Sequence, residues 1–182
     1  MTDLYANISM GHENDWNTLE RRIITAAQCH SDAIIISKCT PSIMIPKNKQ
    51  YVSIDSKWGS RPYIEVAKKS EIDEINAHKI EKLTEEIGIP VIWSVTDTEA
   101  GAWVTENTSC SKVKIHFDAR NNFDLWSFCK ERFEHVIIPF GNILETIKPK
   151  HWYMLDNVTV YHAAYKMPST VEELSFDKIQ IL

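Results

Sequence analysis

Glu86-Ile87-Gly88-Ile89-Pro90-Val91-Ile92-Trp93-Ser94-Val95-Thr96-Asp97 contains the end of one element, the whole of a second and the start of a third. Gly88 followed by Pro90 stops a helix. The run Pro90 to Val95 is apolar and partly β-branched, as a buried strand requires, and Thr96-Asp97 leads into a short helix over Thr98 to Glu106. Upstream, Ile72, Ile75, Lys79, Ile80, Leu83 and Ile87 recur at helical spacing, and Ser70 with Asp73 has the spacing of a capping box. The unit therefore reads helix, strand, helix. Five more apolar runs repeat the strand: Leu4 to Ser9, Ala33 to Ser37, Lys112 to Phe117, His135 to Pro139 and Asn157 to His162. Helical stretches fill most of the gaps. One is capped by Asn14-Asp15 and carries Leu19, Ile23, Ile24, Ala26 and Ala27; another covers Asn122 to Phe133, with a short one near Asn142 to Ile147 and a last turn from Ser169-Thr170 through Leu174. Strands alternating with helices imply an α/β fold of parallel βα repeats, TIM-barrel-like if the parent architecture is an eight-unit barrel. The count of about six units predicts an incomplete or partner-closed barrel, formed as a single domain over residues 1–182. Chemistry in such folds gathers at the carboxyl ends of the strands.

Composition narrows the function. The net charge of -5 provides no footprint for nucleic acid, whose binders gather Lys and Arg on one face. The N-terminus lacks a basic, apolar leader and no run approaches the ~20 apolar residues of a membrane span, so a soluble cytoplasmic protein with no membrane partner is expected. Cys29, Cys39, Cys110 and Cys129 form no CxxC pair and read as buried or partly buried free thiols. There is no GxGxxG, Walker A loop, GxSxG elbow or HExxH spacing, which removes the commonest nucleotide, hydrolase and zinc-enzyme readings. The segment from Lys38 to Pro62 is long for a connection and reads as a lid, a binding loop or an irregular excursion.

Several rim residues carry candidate chemistry. Lys114 lies within the apolar strand Val113-Lys114-Ile115, where an ammonium is costly unless it is paired or faces a wet cavity. Strand alternation puts His116 on the same face, so the two make an anionic ligand credible. His12, in Gly11-His12-Glu13-Asn14, follows the first strand and reads as an exposed loop histidine or a ligand contact. His162 ends the sixth run, as a ligand group or a hydrogen-bonded core histidine. Asp97 and Asp118 are rim carboxylates for which helix capping is the competing role.

Taken in order, these pieces resemble the sialic acid (N-acetylneuraminate) synthase family. Ala6-Asn7-Ile8-Ser9-Met10-Gly11-His12-Glu13-Asn14 is similar to the family's first-strand motif, and Asp32-Ala33 to its second. Ser94-Val95-Thr96-Asp97 resembles its Ser-Thr-Pro-Phe-Asp turn, and Val113-Lys114-Ile115 its Tyr-Lys-Ile-Gly-Ser strand. Ile137 to Asn142, Val160-Tyr161-His162 and Glu172-Glu173-Leu174 continue the match. The resemblance implies a (β/α)8 barrel that condenses phosphoenolpyruvate with an N-acylated amino sugar in nonulosonic acid biosynthesis, with a divalent metal, Mn or Mg. It also implies that Lys114 meets phosphoenolpyruvate and that Ser94 replaces a phosphate-binding threonine. Departures are expected to impair or abolish that reaction: Asn7 stands for an acid, Ile35 for a lysine, Phe117 for a serine, Ala119 for a glutamate and Pro139 for a serine. The family's two metal-binding histidines would fall beyond Leu182, so the metal ligands are expected to be absent. The expected site comprises Lys114, Ser94, His116, His12, His162 and Asp97, binding an anionic sugar or a phosphoenolpyruvate-like ligand. The alternatives are a non-catalytic pseudoenzyme scaffold for a protein partner, and one half of a split synthase. Open strand edges favour a homo-oligomer or a complementary chain.

Overall fold

The computed structural model describes residues 3–8, 12, 14–140 and 156–163. Six parallel strands form one sheet: β1 (Tyr5–Asn7), β2 (Ala33–Lys38), β5 (Val91–Val95), β6 (Lys112–Ile115), β7 (His135–Phe140) and β8 (Val158–His162), adjacent in that order. A separate antiparallel pair, β3 (Ser53–Ile54) and β4 (Arg61–Pro62), lies in the segment after β2. The helices are α1 (Trp16–Gln28), α2 (Pro41–Met44), α3 (Tyr63–Ser70), α4 (Glu74–Ile87), α5 (Thr98–Asn107) and α6 (Phe123–Arg132). The sheet curls as part of a TIM-barrel-like α/β fold. The expected short helix near 142–147 and the turn near 169–174 lie outside the described residues.

Alternation along the strands sorts side chains onto two faces. Ile34, Ile36, Trp93, Val95, Val113, Ile115, Val136 and Ile138 face the helices, where they pack with Leu19, Ile23, Ile80, Val104 and Leu125. The opposite, inner face carries a smaller apolar group of Ala33, Ile35, Ile92 and Ile137, flanked by Tyr5 and Tyr161. All six residues of β2 are buried, which explains its unbroken apolar run.

Local signals set most helix ends. Asp15, Asp73, Asp97 and Asn122 each accept a backbone N–H of the first turn through a side-chain oxygen. Gly88 adopts φ +80 and its N–H bonds Thr84 O, the left-handed stop that only glycine takes without strain.

The helix expected to begin at Ser70 starts instead at Glu74, after a separate helix that ends at Ser70. Ser70 closes α3 and donates its hydroxyl to Val66 O at 2.9 Å, while Asp73 caps α4. Glu71 is extended, which breaks the chain between them. The buried face of α4 is accordingly Asn76, Ala77, Ile80 and Thr84, and Ile75 of the expected stripe is exposed. Ile72 is fully buried, but as part of the link. The long segment after β2 is also more ordered than its composition suggests, since it holds α2 and the β3–β4 hairpin. Cys39 and Cys129 are buried and Cys110 half-buried, whereas Cys29, just past the end of α1, is exposed.

Candidate functional site

The inner face near the strand ends carries a polar row. Register pairs Ser37 with Ser94 across β2 and β5, and Ser94 with Lys114 across β5 and β6. The Ser94 hydroxyl is buried and makes no hydrogen bond among the described residues. Lys114 is half-buried, and its Nζ lies 5.8 Å from the centre of the Tyr161 ring on β8. No described carboxylate pairs with it. Burial alone pushes its ammonium below the ordinary lysine pKa. The Tyr161 hydroxyl is pushed up to about 12, also by burial. Lys114 and Tyr161 are joined only by the sheet order, and neither Tyr161 nor Ser37 stood out in the sequence, although the period-two step from Thr159 puts Tyr161 on the inner face.

His116 continues past β6, its N–H bonding Val95 O at 2.8 Å. Its ring caps the 3₁₀ turn Phe117–Ala119, with Nδ1 accepting the Asp118 N–H at 3.3 Å. Burial lowers its pKa most, Asp118 opposes this, and the Lys114 charge adds a smaller lowering. Asp118 is largely exposed at 3.7 Å, so solvent screens it and burial dominates. His135 is also lowered, by burial and then by Lys112. A histidine with a depressed folded pKa makes the unfolded chain the stronger proton binder below its unfolded value near 6.5. Stability should therefore fall as pH drops through about 6.5 toward the folded values. Melting temperatures from pH 8 to pH 5 would show this decline, and His116→Gln should flatten it.

The other expected site residues divide. Asp97 is 3% exposed and both oxygens are engaged: Oδ1 accepts from the Ala100 N–H and the Thr40 hydroxyl at 2.8 Å each, Oδ2 from the Thr40 N–H at 2.9 Å and the Thr96 hydroxyl at 2.7 Å. It thus ties the β2 and β5 rim loops together and caps α5. His12 is 1% exposed, so the exposed-loop reading does not hold; its Nδ1 accepts the Asn14 N–H at 2.9 Å, closing the turn ahead of α1. His162 pairs with Phe140 in the β7–β8 register, and its side chain lies outside the described residues.

Where the resemblance implied a lysine, Ile35 is buried in the inner apolar group with Ile92 and Ile137. Phe117 packs under the Arg120 guanidinium at 4.2 Å. Asn7 is exposed on strand β1 at the sheet edge. A magnesium or manganese ion needs several converging oxygen ligands. Among the described residues no three His, Cys, Asp or Glu side chains converge as such an ion would require.

The model of the NeuB family matches residues 22–182. The chain belongs to the NeuB family. Among curated proteins, none matches this sequence. Among solved structures, the NeuB-family chain is similar to the N-acetylneuraminic acid (sialic acid) synthetase of Leptospira borgpetersenii serovar Hardjo-bovis, determined in complex with citrate. The TM-score is 0.80 at 16% identity, covering 98% of this chain and 59% of that one. It is also similar to spore coat polysaccharide biosynthesis protein E of Chromobacterium violaceum, with TM-score 0.77 at 11% identity over 99% of this chain and 55% of that one. The spore coat polysaccharide biosynthesis protein spsE of Bacillus subtilis follows at TM-score 0.64 and 12% identity, over 92% of this chain and 45% of that one. The NeuB-family chain thus spans little more than half the length of the first two. At these identities the likeness establishes the fold. Among the described residues, no helix is long and apolar enough to cross a membrane.

Proposed function

We propose that this NeuB-family chain is a sialic-acid-synthase-like protein that keeps an anion site and has impaired or lost condensation chemistry. The observation that carries the anion site is Lys114. Its half-buried ammonium has no described counter-ion and lies in register with the unsatisfied hydroxyl of Ser94. A charge held out of water without a partner is unfavourable, and a phosphate or carboxylate ligand supplies the partner. Ser94, His116 and Tyr161 would complete the pocket, with His116 donating a hydrogen bond once protonated. Phosphoenolpyruvate is the ligand that the family suggests, and the citrate held by the Leptospira synthetase is likewise a small polyanion.

Impaired catalysis is supported by the inner face itself. Ile35 and its apolar neighbours occupy the floor where the family resemblance implies a second cation, and replacing one electrostatic contact of this kind costs about 10²–10³ in rate. Among the described residues β1 and β8 are the outer strands of the sheet, and such edges favour pairing with further strands.

Thermal unfolding of the purified protein with phosphoenolpyruvate tests the site. At 100 times the dissociation constant the ligand should stabilise the fold by about 2.7 kcal/mol, and Ser94→Ala should weaken this response. Phosphoenolpyruvate without effect on the melting temperature at any concentration would sink the proposal and turn attention to protein partners. Product formation from phosphoenolpyruvate and an N-acylated amino sugar at rates typical of enzymes would refute the loss of catalysis.

A further inference from the structure

The six described strands of the parallel sheet contain no Asp, Glu or Gln and a single Asn, Asn7 of the edge strand β1. Carboxylates and amides are the side chains best suited to take up a ligand's hydroxyl groups, because they accept hydrogen bonds where an ammonium can only donate. Of the polar groups at the rim, Asp97 is filled by four donors and Asn122 by the first turn of α6, while Asp118 lies 3.7 Å from His116 Nδ1. The surroundings of Lys114 are therefore poor in acceptors.

The row that holds Lys114 also has an apolar half. Register continues Ser37, Ser94 and Lys114 into Ile137 of β7 and Thr159 of β8, so Ile137 stands one strand spacing, about 4.8 Å, from Lys114 on the side away from Ser94. Ile137 is buried with Ile35 and Ile92, and the half-buried Tyr161 packs against the same group with its ring centre 5.8 Å from Lys114 Nζ. The Thr159 hydroxyl is already shared with His135 Nε2 at 2.8 Å. On one side the ammonium thus meets the Ser94 hydroxyl, which has no hydrogen bond among the described residues, and on the other an isoleucine and an aromatic ring.

We propose that the Lys114 site takes a carboxylate carried on a flat apolar body in preference to a polyhydroxylated acid, an inference that rests on the anion site proposed above. The carboxylate pairs with the ammonium and accepts the Ser94 hydroxyl, while the body lies along Ile137 and the Tyr161 ring. Hydroxyl groups placed there would lose water without gaining acceptors, whereas an apolar body gains by leaving water. Selectivity comes from what a polyol would leave unpaired as much as from the apolar contact itself. Phosphoenolpyruvate, whose short unsaturated skeleton carries no hydroxyl, belongs to the favoured class.

Benzoate and gluconate are monoanions that differ in the body, and their dissociation constants, with that of phosphoenolpyruvate, test the preference. The amide resonances of Ser94 and Lys114 report binding in ¹H–¹⁵N NMR titrations of the full chain at neutral pH and constant ionic strength. Benzoate is expected to bind at least ten-fold more tightly than gluconate, a difference of about 1.4 kcal/mol or more. Lys114→Met should abolish binding of both, and Ile137→Thr, which keeps the branch at Cβ and adds a hydroxyl, should bring the ratio toward one. The wild-type ratio decides the matter even if Ile137→Thr folds too poorly to titrate. Gluconate binding as tightly as benzoate, with Lys114-dependent binding of phosphoenolpyruvate intact, would overturn the ligand class and leave the anion site standing. No response to any of the three would overturn both. Benzoate binding that survives Lys114→Met, or a ratio unmoved by a folded Ile137→Thr, would likewise overturn the preference, since the apolar acid would then be held elsewhere.

Discussion

Lys114→Met should raise the melting temperature of the free protein and abolish its response to phosphoenolpyruvate. The two effects share one cause. In the wild type, burial disfavours the ammonium, no described carboxylate offsets it, and the Tyr161 ring at 5.8 Å provides only a weak cation–π contact. Methionine keeps the unbranched shape and removes the charge, so the half-buried position should gain about 1–2 kcal/mol. For a chain of this size that corresponds to roughly 2–8 °C in melting temperature. His116 reports the same change independently, because the Lys114 charge is one of the causes that lower its pKa. Its pKa should move upward in the variant, as measured by NMR titration of the ring. A residue whose replacement stabilises the protein while deleting ligand binding is one retained for function rather than for the fold. If Lys114→Met destabilised the free protein, the lysine would have to be satisfied structurally and the anion-site reading would lose its main support.

Asp97→Ala should have the largest destabilising effect among the rim residues. Four donors converge on this carboxylate, from Thr40, Thr96 and Ala100, and the group is almost wholly buried. Removing it costs the cap of α5 and leaves the buried Ala100 N–H and the part-buried Thr40 N–H without their acceptor. Loss of a cap costs about 0.5–2 kcal/mol, and stranding buried donors adds about 1–3 kcal/mol, for a total near 3–4 kcal/mol. A fall of about 6–16 °C in melting temperature should follow. Asp97→Asn keeps one acceptor oxygen and should lose less. A fall in melting temperature with an unchanged phosphoenolpyruvate affinity at low temperature would confirm that Asp97 builds the rim without touching the ligand. An unaltered melting temperature would show that the network is dispensable.

The residues of the site differ in how far they could be read in advance. Lys114 was legible because a charge inside an apolar strand conflicts with its surroundings, and His116 followed from the period of two. Asp97 carried a capping signal, Thr96-Asp97 ahead of a helix, and the structure shows that capping and loop-tying engage all of its oxygens. Tyr161 and Ser37 gave no such signal, since a tyrosine and a serine are unremarkable in any strand. Trp58 was one of six tryptophans in the sequence, and the placing of Lys57 and Lys69 over its ring depends on a hairpin that an irregular composition concealed. The boundary between α3 and α4 was misread because Ser70 and Asp73 fit a capping box, while Ser70 in fact bonds backward to Val66.

By itself the sequence determined the positions of the six strands and of α1, α5 and α6 with their caps at Asp15, Asp97 and Asn122, along with the glycine stop at Gly88. These features depend on interactions spanning one to four residues, so the order of residue types suffices to specify them. The tertiary structure alone decided that Ser37, Ser94 and Lys114 stand in one row, that Tyr161 faces Lys114 from β8, and that Lys38 is buried between Glu71 and the Trp103 ring. Those neighbours are set by strand order and register, which follow from burying both faces of the sheet at once and are not encoded in any short stretch of the chain.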